Sequence, residues 1–124
     1  MANLIVNAGS EGIYGFGSSG SVSDNTVVNV NNDGILVEED GISVTSNKIF
    51  GTANGIFLGF TSVAAIQGNT ITGSATGIEF HCNANPNVHS NIITDVGTAL
   101  DQVPSAIASS NKYFNVDTIR TGSC

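Results

Sequence analysis

The sequence predicts an all-β solenoid in which short parallel strands stack coil upon coil. Three repeating columns of residues carry this prediction. One column is a set of asparagines spaced 22 residues apart, with a last member after 20: Asn3, Asn25, Asn47, Asn69, Asn91 and Asn111. Another is an apolar residue two positions after each asparagine, and the third is a Gly-Ile pair such as Gly34-Ile35 or Gly55-Ile56. Only a chain that returns to the same place at a fixed period keeps side chains on such a grid.

The strands follow from the apolar runs inside each repeat. Each run is short, rich in Ile and Val, and alternates with polar residues, which is the period-2 pattern of a strand buried on one face. Three runs per repeat, separated by Gly, Asn, Ser and Asp, predict a coil with three walls. Coils that stack about 4.8 Å apart would form a rod of about five to six coils, roughly 25 to 30 Å long.

Two other repeat architectures do not fit. A leucine-rich repeat needs several leucines per repeat, and this chain has four in total, Leu4, Leu36, Leu58 and Leu100. Helical repeats require apolar residues at i, i+3, i+4 and i+7, and no window of the sequence shows that pattern.

The repeats from Gly34-Ile35 to Asn47-Lys48-Ile49 and from Gly55-Ile56 to Asn69-Thr70-Ile71 resemble those of the pectin-lyase-like superfamily. The resemblance covers roughly residues 3–120 and implies a right-handed parallel β-helix. That superfamily includes lyases, hydrolases, epimerases, phage tailspikes and adhesins, so the resemblance implies a fold and no single function.

The chain is predicted to be one β-helix domain, residues 1–124, and the C-terminal part of a longer protein whose N-terminal coils are missing. The coils are expected near 3–24, 25–46, 47–68, 69–90 and 91–110, with a C-terminal cap at 111–124. The cap is expected because the repeat shortens and Tyr113-Phe114 replaces the usual apolar residue.

A structural role is predicted for the asparagine column. Asparagine tolerates the left-handed backbone region at a tight turn, and stacked amides can bond one another in a ladder. Asn25, Asn47, Asn69, Asn91 and Asn111 are therefore expected to be buried in such a ladder. The glycines before each isoleucine are expected at sharp bends of the backbone.

Charge excludes two classes of partner. Only 10 % of the residues are charged and the net charge is −7, with Lys48, Lys112 and Arg120 as the only basic residues. A nucleic-acid-binding protein needs a basic stripe, and an anionic membrane surface attracts basic segments. Neither a nucleic acid nor a membrane is therefore expected as a partner.

A secreted, periplasmic or cell-surface location is predicted for the native full-length protein.

The two cysteines allow two interpretations. Cys82 and Cys124 could form a disulfide, as in a secreted or periplasmic protein. Their positions are almost two coils apart, about 10 Å, so the tail would have to double back; otherwise both remain thiols. A metal site of His81, Cys82 and His89 is disfavoured because adjacent residues on a strand point to opposite faces.

Ligand contacts are predicted on the outer face of the strands that follow the Gly-Ile pairs. Alternation places Tyr14, Leu36, Phe57, Glu79 and Asp101 outward in one column. The superfamily resemblance implies that substrate grooves run along such a face. The apolar half, Tyr14, Leu36 and Phe57, is the predicted ligand-binding or self-association surface.

The acidic half contains the candidate catalytic residues Glu79 and Asp101, with His81 one step further on. Two carboxylates on neighbouring coils could lie about 5 Å apart, as in a retaining glycoside hydrolase. No basic residue is expected beside them, since Lys48 and Lys112 lie on another wall, and this argues against lyase chemistry.

No cofactor is predicted, apart from calcium as an open alternative. The acidic run Glu38, Glu39 and Asp40, with Asp33 before it, could hold that cation. The run lacks the spacing of a known calcium loop, so a solvated turn is the favoured interpretation.

Three functions remain open. The first is a non-catalytic β-helix module of a secreted or surface protein, with a structural or polysaccharide-binding role. The second is a carbohydrate-active enzyme, of the lyase or hydrolase type, or a fragment of one. The third is an oligomeric, tailspike-like assembly unit.

Overall fold

The structure is a computed structural model of the chain. It describes residues 3–16, 20–38, 42–59, 65–80, 87–101 and 110–121. These residues form strands and turns and contain no helix. None of them forms a segment of helix long and apolar enough to cross a membrane.

The strands of the described residues, in chain order, are β1 (Leu4–Val6), β2 (Ile13–Phe16), β3 (Gly20–Ser23), β4 (Thr26–Val28), β5 (Asp33–Glu38), β6 (Ile42–Thr45), β7 (Lys48–Phe50), β8 (Asn54–Leu58), β9 (Ala65–Gln67), β10 (Thr70–Thr72), β11 (Thr76–Phe80), β12 (Asn87–His89), β13 (Ile92–Thr94), β14 (Thr98–Asp101), β15 (Lys112–Phe114) and β16 (Thr118–Thr121).

They form three parallel sheets. Sheet A has the order β1-β4-β7-β10-β13-β15, sheet B the order β2-β5-β8-β11-β14-β16, and sheet C the order β3-β6-β9-β12. The chain thus visits the three walls in turn and pairs each strand with the equivalent strand of the next coil. The predicted all-β solenoid with coils of about 22 residues is confirmed.

The core lies inside the prism that the three walls enclose. Ile49, Ile71 and Ile93 occupy successive strands of sheet A, in register and fully buried, as predicted. The inward residues of sheet B are equally buried: Ile35, Ile56, Ile78 and Leu100. Alternation along each strand therefore separates an apolar interior from an outer face that is free to differ from coil to coil.

The predicted asparagine ladder is present. Oδ1 of each ladder asparagine accepts from the backbone N–H and from Nδ2 of the asparagine one coil earlier, and every such N···O distance lies between 2.8 and 3.0 Å. Nδ2 of Asn69 also donates to the Val44 carbonyl at 2.9 Å. Asn69 and Asn91 have no exposed surface. The ladder thus satisfies the polar groups of the corner between sheets C and A.

One predicted reason for the ladder is wrong. The left-handed residue at this corner is the one before the asparagine, as at Asp24 (φ 59°), Ser46 (φ 57°), Gly68 (φ 68°) and Ser90 (φ 61°). The ladder asparagines are absent from the described residues with positive φ. Their position is therefore selected by side-chain hydrogen bonding, while short residues before them provide the left-handed turn.

The predicted role of the Gly-Ile glycines also needs correction. Gly34, Gly55 and Gly77 lie within strands of sheet B, and none of them has a positive φ. A Cβ on Gly55 would lie 2.6 Å from the Gly77 carbonyl oxygen and 2.6 Å from Cγ2 of Ile71. Glycine is therefore required because the next coil and the core approach too closely for any side chain.

A polar pair interrupts the interior near the corner between sheets A and B. The hydroxyls of Thr52 and Ser74 lie 2.8 Å apart, and both residues are buried. Val30 and Val96 occupy the equivalent positions in the coils on either side and are buried too. The pair is satisfied internally because two hydroxyls on neighbouring coils can bond each other.

Candidate functional site

The outer column of sheet B places the predicted site residues in one line. Strand pairing sets Tyr14 opposite Leu36, Leu36 opposite Phe57, Phe57 opposite Glu79, and Glu79 opposite Asp101. Thr121 on β16 extends the line by one strand. The column runs from an aromatic end at β2 to an acidic end at β14, with neighbouring members about 4.8 Å apart.

The aromatic end contains a residue that the sequence argument missed. Phe16 lies two positions after Tyr14 on the same face of β2, and the two side chains are 65 % and 53 % exposed. Their ring centroids are 6.4 Å apart, with 30° between the ring planes. The Tyr14 hydroxyl donates to Oε2 of Glu38 at 2.7 Å. Extending the alternation by one step along β2 would have identified Phe16.

Leu36 is a poor candidate for ligand contact. It lies in the outer column as predicted, but it is only 8 % exposed. Its strand is flanked by β2 and β8, where the larger Tyr14 and Phe57 side chains occupy the neighbouring positions. Leu36 is therefore buried between Tyr14 and Phe57 in the outer column, and the prediction that it is an exposed contact needs correction.

The acidic end brings Glu79 and Asp101 onto adjacent strands, β11 and β14. Oγ1 of Thr121 donates to Oδ1 of Asp101 at 2.8 Å. Partial burial raises the pKa of Glu79, and the negative charges of Asp101 and Asp33 raise it further. A carboxyl that holds its proton more tightly is suited to act as a general acid.

Asp33 begins the strand β5 and is 5 % exposed. Nδ2 of Asn54 donates to its Oδ1 at 2.8 Å. Burial raises the pKa of Asp33, the Asn54 hydrogen bond partly offsets this, and the charge of Glu11 adds to it. Asp33 and Glu38 begin and end β5, so the structure does not bring them together as a calcium site.

The basic residues lie elsewhere. Lys48 and Lys112 are on the outer face of sheet A, where they pair with Thr70 and Ile92 respectively. Arg120, expected in the C-terminal cap, lies on β16 opposite Leu100. Arg120 is adjacent in the strand to Thr121, whose side chain hydrogen-bonds Asp101 at the acidic end.

Five predicted site residues lie outside the described residues: Glu39, Asp40, His81, Cys82 and Cys124. The disulfide and the histidine–cysteine metal site stay predictions. His89 is described, on β12 opposite Gln67, and its Nδ1 lies 3.1 Å from Oγ of Ser90.

A cavity of about 320 Å³ lies at the corner between sheets C and A, away from the outer column of sheet B. It is lined by Ser90, Asn91, Ile92, Ser110, Asn111 and Lys112. The ladder spacing shortens here from 22 to 20 residues. The cavity therefore accompanies the irregularity of the last repeat.

The profile of a protein family described as periplasmic copper-binding protein (NosD) matches residues 2–118. The chain belongs to this family. No curated protein and no solved structure matches the chain. The family match and the fold together identify a periplasmic β-helix module, which confirms the predicted location and agrees with the resemblance to parallel β-helix repeats.

Copper binding, which the description of the NosD family includes, can be compared with the donors present. Copper favours imidazole, thiolate and thioether ligands. Among the described residues only His89 offers such a donor, and no group of three or more His, Cys, Asp or Glu side chains there could hold a metal ion. The described part of the chain therefore does not fit a copper centre.

Proposed function

We propose that this periplasmic β-helix module is non-catalytic and binds an uncharged or amino-sugar glycan chain along the outer face of sheet B. The proposal rests on one observation, the exposed pair Tyr14 and Phe16 at one end of a flat face. A large exposed aromatic surface beside polar groups is characteristic of a binding site.

Polar groups elsewhere on sheet B suit sugar hydroxyls. Asn54, Thr76, Thr98 and Thr118 line up on successive strands of sheet B and are partly exposed. Amide and hydroxyl side chains both donate and accept hydrogen bonds, and carboxylates such as Glu38 accept them. A glycan chain with one ring on Phe16 or Tyr14 would thus have hydrogen-bonding partners where its further rings cross the same wall.

Charge favours an uncharged or amino-sugar polymer over an acidic one. The chain has a net charge of −7. Glu38, Glu79 and Asp101 all lie on sheet B. A polyuronate would meet like charge along the whole wall, and like charges brought together at an interface are unfavourable.

The test is titration calorimetry with soluble neutral and amino-sugar oligosaccharides. Phe16→Ala should weaken binding about eightfold, because burying roughly 50 Å² of ring at 25 cal/mol per Å² contributes about 1.2 kcal/mol. Phe114→Ala is the matched control, since Phe114 is 55 % exposed on sheet A. Equal binding by both variants, or no binding by the wild type, would contradict the proposal.

A hydrolase is the second candidate, and the specific observation behind it is the Glu79–Asp101 pair with the raised pKa of Glu79. Release of reducing ends from the same oligosaccharides tests it. We expect none. Release that Glu79→Gln abolishes, while Asp117→Asn at an exposed position outside sheet B leaves it intact, would replace the binding module by an enzyme.

A further inference from the structure

The outer face of sheet A has an unusual composition for so acidic a protein. Its outward residues form two columns in strand register, Leu4, Thr26, Lys48, Thr70, Ile92, Lys112 and Val6, Val28, Phe50, Thr72, Thr94, Phe114. Half of these side chains are large and apolar, four are threonines and two are lysines. The face carries two of the three basic residues of the chain and no carboxylate.

In the part of the chain that the structure describes, exposed large apolar side chains lie on two of the three walls. Among the described residues, the large apolar side chains with substantial exposure on sheet A are Leu4, Val6, Ile92 and Phe114. The others are Tyr14 and Phe16 at the aromatic end of sheet B, and Ile119 on its last strand. Sheet C contributes none within the described residues. Sheets A and B are therefore the walls with surface to bury.

The lysines of sheet A and the carboxylates of sheet B are opposite in charge. Lys48 on β7 and Lys112 on β15 are three strand steps apart in sheet A. Glu38 on β5 and Asp101 on β14 are three strand steps apart in sheet B. Each pair therefore spans about 14 Å along the rod. Glu38 lies in the outward column of Phe16, and Asp101 lies in the other outward column, next to Glu79 on the preceding strand. A sheet A face laid on a sheet B face therefore places the two lysines against a wall that carries three carboxylates.

We infer that sheet A is a docking surface for sheet B of a second copy of this chain. The contact joins two different surfaces, so each copy keeps one unused face and the association can continue to further copies. This goes beyond glycan binding. Because sheet B would take part in both, the association is measured without glycan.

The size of the face sets the strength of the contact. Six strands cover about 24 Å along the rod, and each presents only two outward residues in sheet A. Such a face lies at the small end of specific interfaces. The association is expected to be weak, to increase with protein concentration, and to decrease with salt because its lysines are exposed to solvent and are screened by ions.

Neutralising the lysines tests the inference. Sedimentation equilibrium of the wild type should show a rising mean mass up to roughly 1 mM chain. Lys48→Gln with Lys112→Gln should weaken the association roughly three- to thirtyfold. The control is Thr45→Glu with Gln67→Glu, which changes the net charge equally on sheet C. It should leave the association unchanged.

A charge exchange tests the pairing itself. Lys48→Glu with Lys112→Glu, and separately Glu38→Lys with Asp101→Lys, should each give monomers, because the two faces then carry like charge. An equimolar mixture of the two variants should associate again. A monomeric wild type at 1 mM, a mixture that stays monomeric, or a Lys→Gln variant that associates like the wild type would overturn the inference. Unchanged glycan binding by the Lys→Gln variant separates its outcome from that of the proposed function.

Discussion

Replacing Asn69 with leucine removes one rung from the middle of the ladder and keeps the number of side-chain heavy atoms. Its Oδ1 accepts from the backbone N–H and Nδ2 of Asn47 at 2.9 and 3.0 Å, and its Nδ2 donates to the Val44 carbonyl at 2.9 Å and to Oδ1 of Asn91 at 3.0 Å. After substitution, Nδ2 of Asn47 keeps the Val22 carbonyl, and Oδ1 of Asn91 still accepts from the backbone of residue 69.

Two groups then lose these partners, the N–H of Asn47 and the carbonyl of Val44. A buried polar group without a partner costs about 1 to 3 kcal/mol. Asn69→Leu should therefore lower the free energy of unfolding by about 2 to 6 kcal/mol, the sum for two such groups. Urea denaturation followed by circular dichroism measures this difference, with an unchanged slope showing that the same surface is exposed on unfolding.

Asn3→Leu is the matched control at the exposed end of the same column. Its Nδ2 donates to Oδ1 of Asn25 at 2.9 Å, and that oxygen also accepts from the Asn3 backbone at 3.0 Å, which the substitution preserves. The cost should stay below about 1 kcal/mol. The reasoning fails if Asn69→Leu is as stable as the wild type, or if both substitutions cost the same.

Three further outcomes are expected. Ile71→Ala should lower the free energy of unfolding by about 2 to 4 kcal/mol by opening a cavity in the stack, while Thr70→Ala on the outer face should change it by less than about 0.5 kcal/mol in the same urea titration. Gly55→Ala should cost about 1 to 3 kcal/mol because its Cβ overlaps a carbonyl oxygen, whereas Gly9→Ala meets nothing within 4 Å and should melt within a few degrees of the wild type. Because the pKa of Glu79 is raised, the folded state binds the proton of this carboxyl more tightly than the unfolded state does. The free energy of unfolding should therefore fall as the pH rises from about 4.5, the ordinary pKa of a glutamate, through the raised pKa. Glu79→Gln should flatten that fall in thermal melts across pH 4 to 7, and an unchanged slope would show that Glu79 contributes nothing to it.

The periodicity of the sequence predicted the fold because each repeating column of residues has one structural role. An asparagine every 22 residues implied the ladder, and the isoleucines two residues later implied the interior stack that Ile71 occupies. Alternation then implied which residues share the outer column of sheet B. The same counting correctly brought Glu79 and Asp101 onto adjacent strands.

The other features of the fold and site depend on contacts between side chains of neighbouring coils, which the repeat length alone does not show. The burial of Leu36 follows from the size of its neighbours on adjacent strands, and the need for glycine at Gly55 follows from the approach of the next coil. Thr52 and Ser74 look like ordinary turn residues until the coils are stacked and their hydroxyls meet. Sequence order alone also gave no measure of how strongly Asp33 is buried.

The outer column of sheet B holds its side chains at distances fixed by the strand spacing. Every chemical group along it stands a whole number of steps, about 4.8 Å each, from every other. Inserting one complete repeat between Phe57 and Glu79 would move the acidic end one strand spacing further from the aromatic end without changing the residues of either end. A ligand that contacts both ends would then have to be longer by that one strand spacing. The number of coils between the two ends therefore sets the length of the ligand that the column can bind.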